Sequence, residues 1–538
     1  MKFLKQIMPL IVAAPFVHSC EFYRPAVSIE EYRHYVEAFN ANDDELYKSG
    51  EYPNEKAWEF MAANIPLFDC PDKQLEETYY FRWWSYRKHI RRTPEGYIIT
   101  EFLPDVPWAG PYNAISCPAA HHFYEGRWLK NDLYLRDYAR FWLKHSGREA
   151  LRSYSSWIAD AIMNFDHVHP DKGFLYELLP HLEWNFAEWK HTRLDSTGLY
   201  WQLDDRDGME MSISGSYGTP NGYGYRPTIN SYMYGDASAL ASMAESFGMT
   251  EISWHYRTLA NKIRDNINDW LWDGEAMFYK VIPMNYGNRF SDARELHGYT
   301  PWYFNIPNEG KAAAWKYLMD PNHFHAGGYG LTSAEQSHPL FKIAYTGHEC
   351  QWNGPSWPFA TSVTLTGLAN YLNNEPGEGI ISHTDYFTLL SDYSRSHRII
   401  WDDGSSQPWI DENINPFTGD WISRTRLKSW KDGSWDPEKG GIERGKDYNH
   451  STFADLVISG LIGIRPDSGN TLTINPLVPQ GKWDYFCLEG VPYKNRSLTL
   501  FYDATGKRYK RGKGFFVYID GKQMYRSENY GKVTITLQ

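Results

Sequence analysis

Apolar residues recur at three- and four-residue spacing through most of the first 465 positions, the period of helices that bury one face. The pattern predicts helices over 30–47, 55–65 and 75–90, and then paired helices over 132–144 with 148–165 and 228–247 with 252–271. In the last pair Met233, Leu240, Met243, Ala244 and Phe247 form one stripe, and Gly248 supplies the stop. Further helices are expected over 311–319, 359–372, 384–396 and 451–461. Consecutive helices in such number imply hairpins packed on one another rather than a parallel sheet. Between them, 102–128 is too polar and too broken by Pro and Gly to be an element, and its aromatic content suits a pocket rim rather than disorder.

After Arg465 the period changes to two. Residues 471–475, 497–503, 515–520 and 532–537 alternate or carry β-branched and aromatic side chains, with turns at 504–506 and Asp520-Gly521. The expected organisation is mainly α: a helical domain over 21–465 followed by a small β-sandwich-like domain over 466–538. Asp503 and Asp520, at turns, are expected to face solvent.

Composition narrows the partners. A formal charge of -12, with no long basic run, argues against nucleic acid. Aromatics make up 17% of the 538 residues, with 23 Trp and 40 Tyr, and flat rings with a polar edge are what sugars stack on. Trp83, Trp84 and Tyr86 are available for this, although helix burial competes for them. Residues 1–20 have a lysine-bearing start and a short apolar run, as in a signal peptide; Val17-His18-Ser19-Cys20 resembles the lipobox of bacterial lipoproteins. That predicts an exported chain lipidated on Cys20, facing the periplasm or the cell exterior, with no other membrane contact; secretion with an unmodified Cys20 is the alternative. Cys70, Cys117, Cys350 and Cys487 are widely scattered, and no CxxC suggests zinc or redox chemistry.

Two stretches carry candidate chemistry. Asp205, Asp207 and Glu210 crowd a glycine-containing loop ahead of the 228–247 helix, where burial beside other carboxylates would raise a pKa towards neutrality and suit a general acid. An acidic turn feeding a helix N-terminus explains the same residues structurally. Much farther along the chain, SQPWIDENINPFTGDW at 406–421 sets Asp411 and Glu412 among Trp409, Asn413, Asn415 and Trp421. Trp352, Asn353 and Trp357 stand upstream of it. His121, His122 and Glu125 invite a metal reading but lack HExxH spacing, so hydrogen-bonded histidines are expected there, and neither metal nor cofactor is called for.

The succession WNGPSWP at 352–358, ENINPFTG at 412–419 and NHSTFADLVISGLIGI at 449–464 resembles the six-hairpin glycosidases, closest to mannosylglycerate-hydrolase-like enzymes and glycoside hydrolase family 63. The resemblance covers roughly residues 75–476. It implies an (α/α)6 toroid with a pocket at one end, hydrolysing glycosidic bonds with inversion. Carried over by motif, the base is Glu412, ahead of Asn415-Pro416-Phe417-Thr418-Gly419; the acid is Glu210 in Gly208-Met209-Glu210-Met211-Ser212, where the family has Asp, with Asp207 the competitor. Trp352, Trp357, Trp409 and Trp128 are the expected stacking rings, and Asn353 and Arg226 the hydroxyl contacts, each with packing as the competing role. Two other classes stay open: a polysaccharide lyase using Tyr200, His121 and His122, and a surface glycan-binding lipoprotein without catalysis.

Overall fold

The computed structural model describes residues 23–537 apart from 148, 219–221, 285–286, 288, 344–347 and 375–378. The expected signal peptide and Cys20 lie outside the described residues. The amino-terminal periodic runs fold as α1 (Arg33–Ala41), α2 (Ala57–Asn64) and α3 (Lys73–Lys88). Asp72 starts α3 by accepting from the Leu75 N–H at 3.1 Å, a side-chain cap for an otherwise unpaired donor. Trp83, Trp84 and Tyr86 are all buried in the core, so none of the three is free to stack on a sugar.

The stretch expected to be a loop contains α4 (Ala119–Gly126). Every residue of α4 is buried, so it lacks the one-sided apolar stripe that reveals a helix in sequence. α5 (Leu133–Arg140) runs on into a π-turn at Phe141–His145 and is followed by α6 (Ile158–Asp166). Next comes α7 (Lys172–Arg193), 22 residues that periodicity missed because Pro180 interrupts the pattern. α8 (Pro227–Ser246) and α9 (Thr250–Trp270) form the expected hairpin. The remaining helices are α10 (Thr300–Tyr303), α11 (Pro358–Asn374), α12 (His383–Ser396), α13 (Ile422–Lys428), α14 (Trp430–Gly433) and α15 (Phe453–Asp455), the last continuing as a π-turn over Leu456–Leu461.

Packing follows chain order. α4 lies on α6, α6 on α8, α8 on α10 and α10 on α11; α11 meets α12, α12 meets α3, and α15 touches both α3 and α4. No described helix is long and apolar enough to cross a membrane.

Five antiparallel strands form the larger carboxy-terminal sheet, in the order Leu67–Asp69, Tyr485–Tyr493, Arg496–Asp503, Gly514–Ile519, Lys522–Ser527. A smaller sheet joins Ile464–Arg465, Thr471–Ile474 and Val533–Thr536. The larger sheet therefore takes one strand from the helical region, and a single apolar core runs through both parts, so position 465 marks a change of texture rather than a break in packing. Asp503 is fully buried, accepting from the Thr505, Gly506 and Tyr509 N–H groups, which corrects its expected solvent-facing role.

Candidate active site

Glu210 and Glu412 line one cavity of about 210 Å³, together with Glu101, Trp357, Arg444 and His450 among others. The loop that delivers Glu210 is tied down from several sides. The Asp204 carboxylate accepts from the Asp205 N–H at 3.0 Å and from the Ser216 N–H and hydroxyl at 2.6 Å, and its carbonyl accepts from the Met209 N–H at 2.8 Å. Gly208 adopts a φ of +71°, where a Cβ would come within 2.7 Å of Cys117 Sγ, so both conformation and space demand glycine. The Trp352 N–H donates to the Glu210 carbonyl at 3.1 Å, joining this loop to the segment before α11.

Glu210 keeps some exposure to the cavity yet is otherwise enclosed by protein. Burial, with the charges of Asp204, Asp205 and Glu412 adding to it, raises its carboxyl to about 8. Asp207 has a different part. It is paired with Arg226 at 2.8 Å, both side chains fully buried, and Thr228 also donates to it. Asp207 and Arg226 therefore form an internal ion pair behind the loop, which corrects Arg226 as a hydroxyl contact and leaves Asp207 away from the cavity lining.

Glu412 is held by Arg444, whose Nε donates to Oε1 at 2.8 Å and whose Nη2 donates to Oε2 at 3.0 Å. The Cys350 thiol donates to Oε2 at 3.3 Å. The backbone around it is pinned by the Ser356–Ile414 and Ile414–Trp421 bridges and by Asn413, which bonds the Glu349 carbonyl and the Ser423 N–H. Next to it, Asp411 is raised to about 7 by burial and by the Glu412 charge. Gly445 passes so close to Asp411 that a Cβ there would meet Oδ1 at 1.9 Å.

Arg444 also donates to Glu349 at 3.1 Å, and Lys439 lies 3.2 Å from the same carboxylate. Burial alone would raise Glu349, but these charges outweigh it and hold the carboxyl at about 2. His348, Glu349 and Cys350 offer ligand atoms within 4.8 Å of one another, the one such grouping found among the described residues. With Arg444 and Lys439 on Glu349, the carboxylate is already neutralised by protein cations.

Trp357 is among the lining residues though almost wholly buried, stacked at 4.6 Å on Trp352, with its indole N–H donating to the Gln351 carbonyl at 2.7 Å. Trp108, 40% exposed, lines the rim inside the stretch expected to frame the pocket. The other expected contacts lie elsewhere. Trp128 is fully buried and donates to Asp455 at 2.6 Å; Trp409 belongs to a separate small pocket with Gln407 and Lys446; Asn353 is fully buried with no hydrogen-bond partner for its amide. These three are corrected to packing roles, because the sequence marks aromatic and amide side chains near a motif without showing which way they point. His121, His122 and Tyr200 are buried outside the cavity, which removes the residues on which the lyase alternative stood. His122 contacts the Tyr138 hydroxyl and the Asn449 carbonyl, and Glu125 accepts from the Ala454 and Asp455 N–H groups.

Sequence reasoning missed Glu101, Arg444, Tyr448, His450 and Cys350, all of which line the cavity. Tyr448 directly precedes the NHSTFADL motif and His450 is its second residue, and that adjacency was the available signal for these two.

Comparison with known proteins bears on what such a cavity serves. A solved structure titled "Sialidase" superposes with a TM-score of 0.86 at 39% identity, over 95% of this chain and 45% of that one, so the chain spans under half the length of that relative. An α-L-rhamnosidase of Streptomyces avermitilis, complexed with L-rhamnose, shares the fold at 12% identity and a TM-score of 0.52, over 85% of this chain and 38% of that one. A family 63 mannosylglycerate hydrolase of Thermus thermophilus in complex with glucose matches at 13% identity and a TM-score of 0.46, over 71% of this chain and 99% of that one. The model of the mannosylglycerate hydrolase MGH1-like glycoside hydrolase domain matches residues 111–451. The chain belongs to this family of six-hairpin-type glycosidases.

Proposed function

We propose that the protein is an exported glycoside hydrolase that removes a terminal sugar with inversion, its helices closing an (α/α)6 toroid around the cavity. Glu210 is the general acid that protonates the leaving oxygen, and Glu412 is the general base that activates water from the opposite face. One observation carries this reading: two carboxyls from loops far apart in sequence line one cavity, one raised by burial to about 8 and the other clasped on both oxygens by an arginine. A group raised to about 8 holds its proton at neutral pH, as an acid must. The cyclic order of helix contacts supports the toroid. The cavity, about 210 Å³, is below the roughly 300–1,000 Å³ of pockets for larger ligands, which favours one ring rather than a long chain. Trp108 and Trp357 are the indole rings among the lining residues.

The test is hydrolysis of an oligosaccharide panel followed by proton NMR of the newly released anomer. Inversion is expected, and Glu210→Gln and Glu412→Gln are each expected to lower kcat by about 10²–10⁴-fold. Retained configuration, or wild-type turnover in either variant, overturns the assignment. Export through lipidation of Cys20 is part of the same proposal. Mass spectrometry of the mature amino-terminal peptide should find a diacylglycerol-modified Cys20, and an unmodified cysteine there would refute the anchor.

A further inference from the structure

The formal charge of -12 conceals a local reversal of sign. Five of the seven residues 507–513 are Lys or Arg, and no carboxylate occurs from 504 to 519. This basic run forms the loop between the strands Arg496–Asp503 and Gly514–Ile519. Buried acids hold the loop from beneath: Asp503 accepts from the Thr505, Gly506 and Tyr509 N–H groups, and Asp69 receives Arg508 and the Tyr509 hydroxyl. Lys507, Lys510 and Lys513 are left exposed, and among the described residues no carboxylate lies within ion-pair distance of them. The amino-terminal end of the described chain is fastened to the same loop. Arg511 lies 5.4 Å from the Tyr23 ring centroid and donates to the Arg24 carbonyl, while the Tyr23 hydroxyl and the Ala26 N–H donate to Glu489 at 3.0 and 2.7 Å. A wide groove of about 1280 Å³ opens here, where Arg24 and Lys130 join Arg508, Lys510 and Arg511 against Glu31 and Glu489.

We propose that the 504–513 loop docks on an anionic phospholipid surface through Lys507, Lys510 and Lys513, beside the lipid carried by Cys20, and so sets how the body sits on the membrane. The inference goes beyond the hydrolase reading and rests on the proposed anchor only for the nearness of a bilayer. Cys20 precedes Tyr23 by three residues, a span of at most about 11 Å. An anchored chain therefore holds the loop near the headgroups, on the scale of the ~8 Å screening length at physiological salt. Each lysine close to such a surface is worth about a fivefold gain in partitioning. The rest of an acidic protein is repelled by the same surface, so attraction confined to one loop also fixes orientation.

Vesicle flotation tests it with the chain from Glu21 to Gln538, which contains every described residue and lacks the cysteine that would carry the lipid. This protein should float with vesicles of equal parts phosphatidylcholine and phosphatidylglycerol and ignore vesicles of phosphatidylcholine alone. Raising the ionic strength from about 0.1 M to about 1 M shortens the screening length from about 10 to about 3 Å and should release it. Lys507→Gln, Lys510→Gln and Lys513→Gln together should lower the partition coefficient roughly 100-fold, and Lys510→Gln alone about fivefold. The melting temperature should not change, because Arg508 keeps its bonds to Asp69. The matched set Lys172→Gln, Lys190→Gln and Lys262→Gln, at exposed positions on α7 and α9, should leave binding unaltered. The proposal is overturned if the parent protein ignores the anionic vesicles, binds neutral ones as well, or loses as much to the matched set as to the loop substitutions. Binding to dextran sulfate but not to vesicles would assign the face to an acidic glycan and overturn it too. Lysine-dependent vesicle binding with an unmodified Cys20 would refute the anchor and leave this proposal standing.

Discussion

Glu210 is the residue whose surroundings make the sharpest prediction. Its carboxyl is raised from an ordinary 4.5 to about 8, chiefly by burial, so the folded protein binds a proton that the unfolded chain releases above pH 4.5. This contribution to stability is fully present below about pH 4.5 and is lost as the pH rises towards 8. Thermal melts of Glu210→Gln, which cannot ionise, should gain on wild type as the pH is raised from about 5 to about 8; a constant difference across that range would contradict the raised pKa. On the acid role proposed for Glu210, turnover by wild type should fall above pH 8 as its carboxyl loses its proton. Glu210 and Glu412, which meet at one cavity, were singled out in sequence because their tracts, 208–212 and 412–419, resemble motifs of the family. Glu101 and Arg444 were not, since nothing local marks a side chain whose role comes from meeting others far along the chain, as Glu101 meets Tyr448 across 347 positions.

At the scale of elements, α15 shows how a short helix can be held from outside. Glu125, on α4, accepts from the Ala454 and Asp455 N–H groups at 3.1 and 2.8 Å, serving as a cap supplied by a distant helix. Asp455 in turn binds Arg127 and Trp128 at 2.7 and 2.6 Å, so α15 is bonded both to α4 and to the two residues that follow it. Glu125→Ala should cost about 1–3 kcal/mol, read from the denaturant midpoint at unchanged m-value; no loss would mean that the two amides find other acceptors. The amphipathic pair α8 and α9 was readable from its stripe, while α4, buried on every side, and α7, broken by Pro180, were not. In the carboxy-terminal sheet, Tyr485–Tyr493 escaped notice because a bulge at Gly490, φ +71°, shifts the alternation that marks a strand. Lys522–Ser527 carries few apolar residues to alternate.

For the whole molecule, the strand Leu67–Asp69 is the decisive joint. It pairs with Tyr485–Tyr493, and Asp69, fully buried, receives Arg508 through two bonds at 2.9 and 2.8 Å and the Tyr509 hydroxyl at 2.9 Å. Helical region and sheet should therefore melt together: calorimetry is expected to give one transition, and a chain ending at Arg465 should fail to reach a folded state. Two separate transitions, or a soluble folded truncation, would make them independent domains. The change of texture after Arg465 was visible in sequence; the strand lent from position 67 was not, because three residues are too few to carry a period. That loan also sets a timetable for biosynthesis. At the usual pace of about 5–20 residues per second, Leu67 leaves the ribosome on the order of 20–80 s before the Glu489 it will face, so the lent strand must wait, shielded, for a partner made much later.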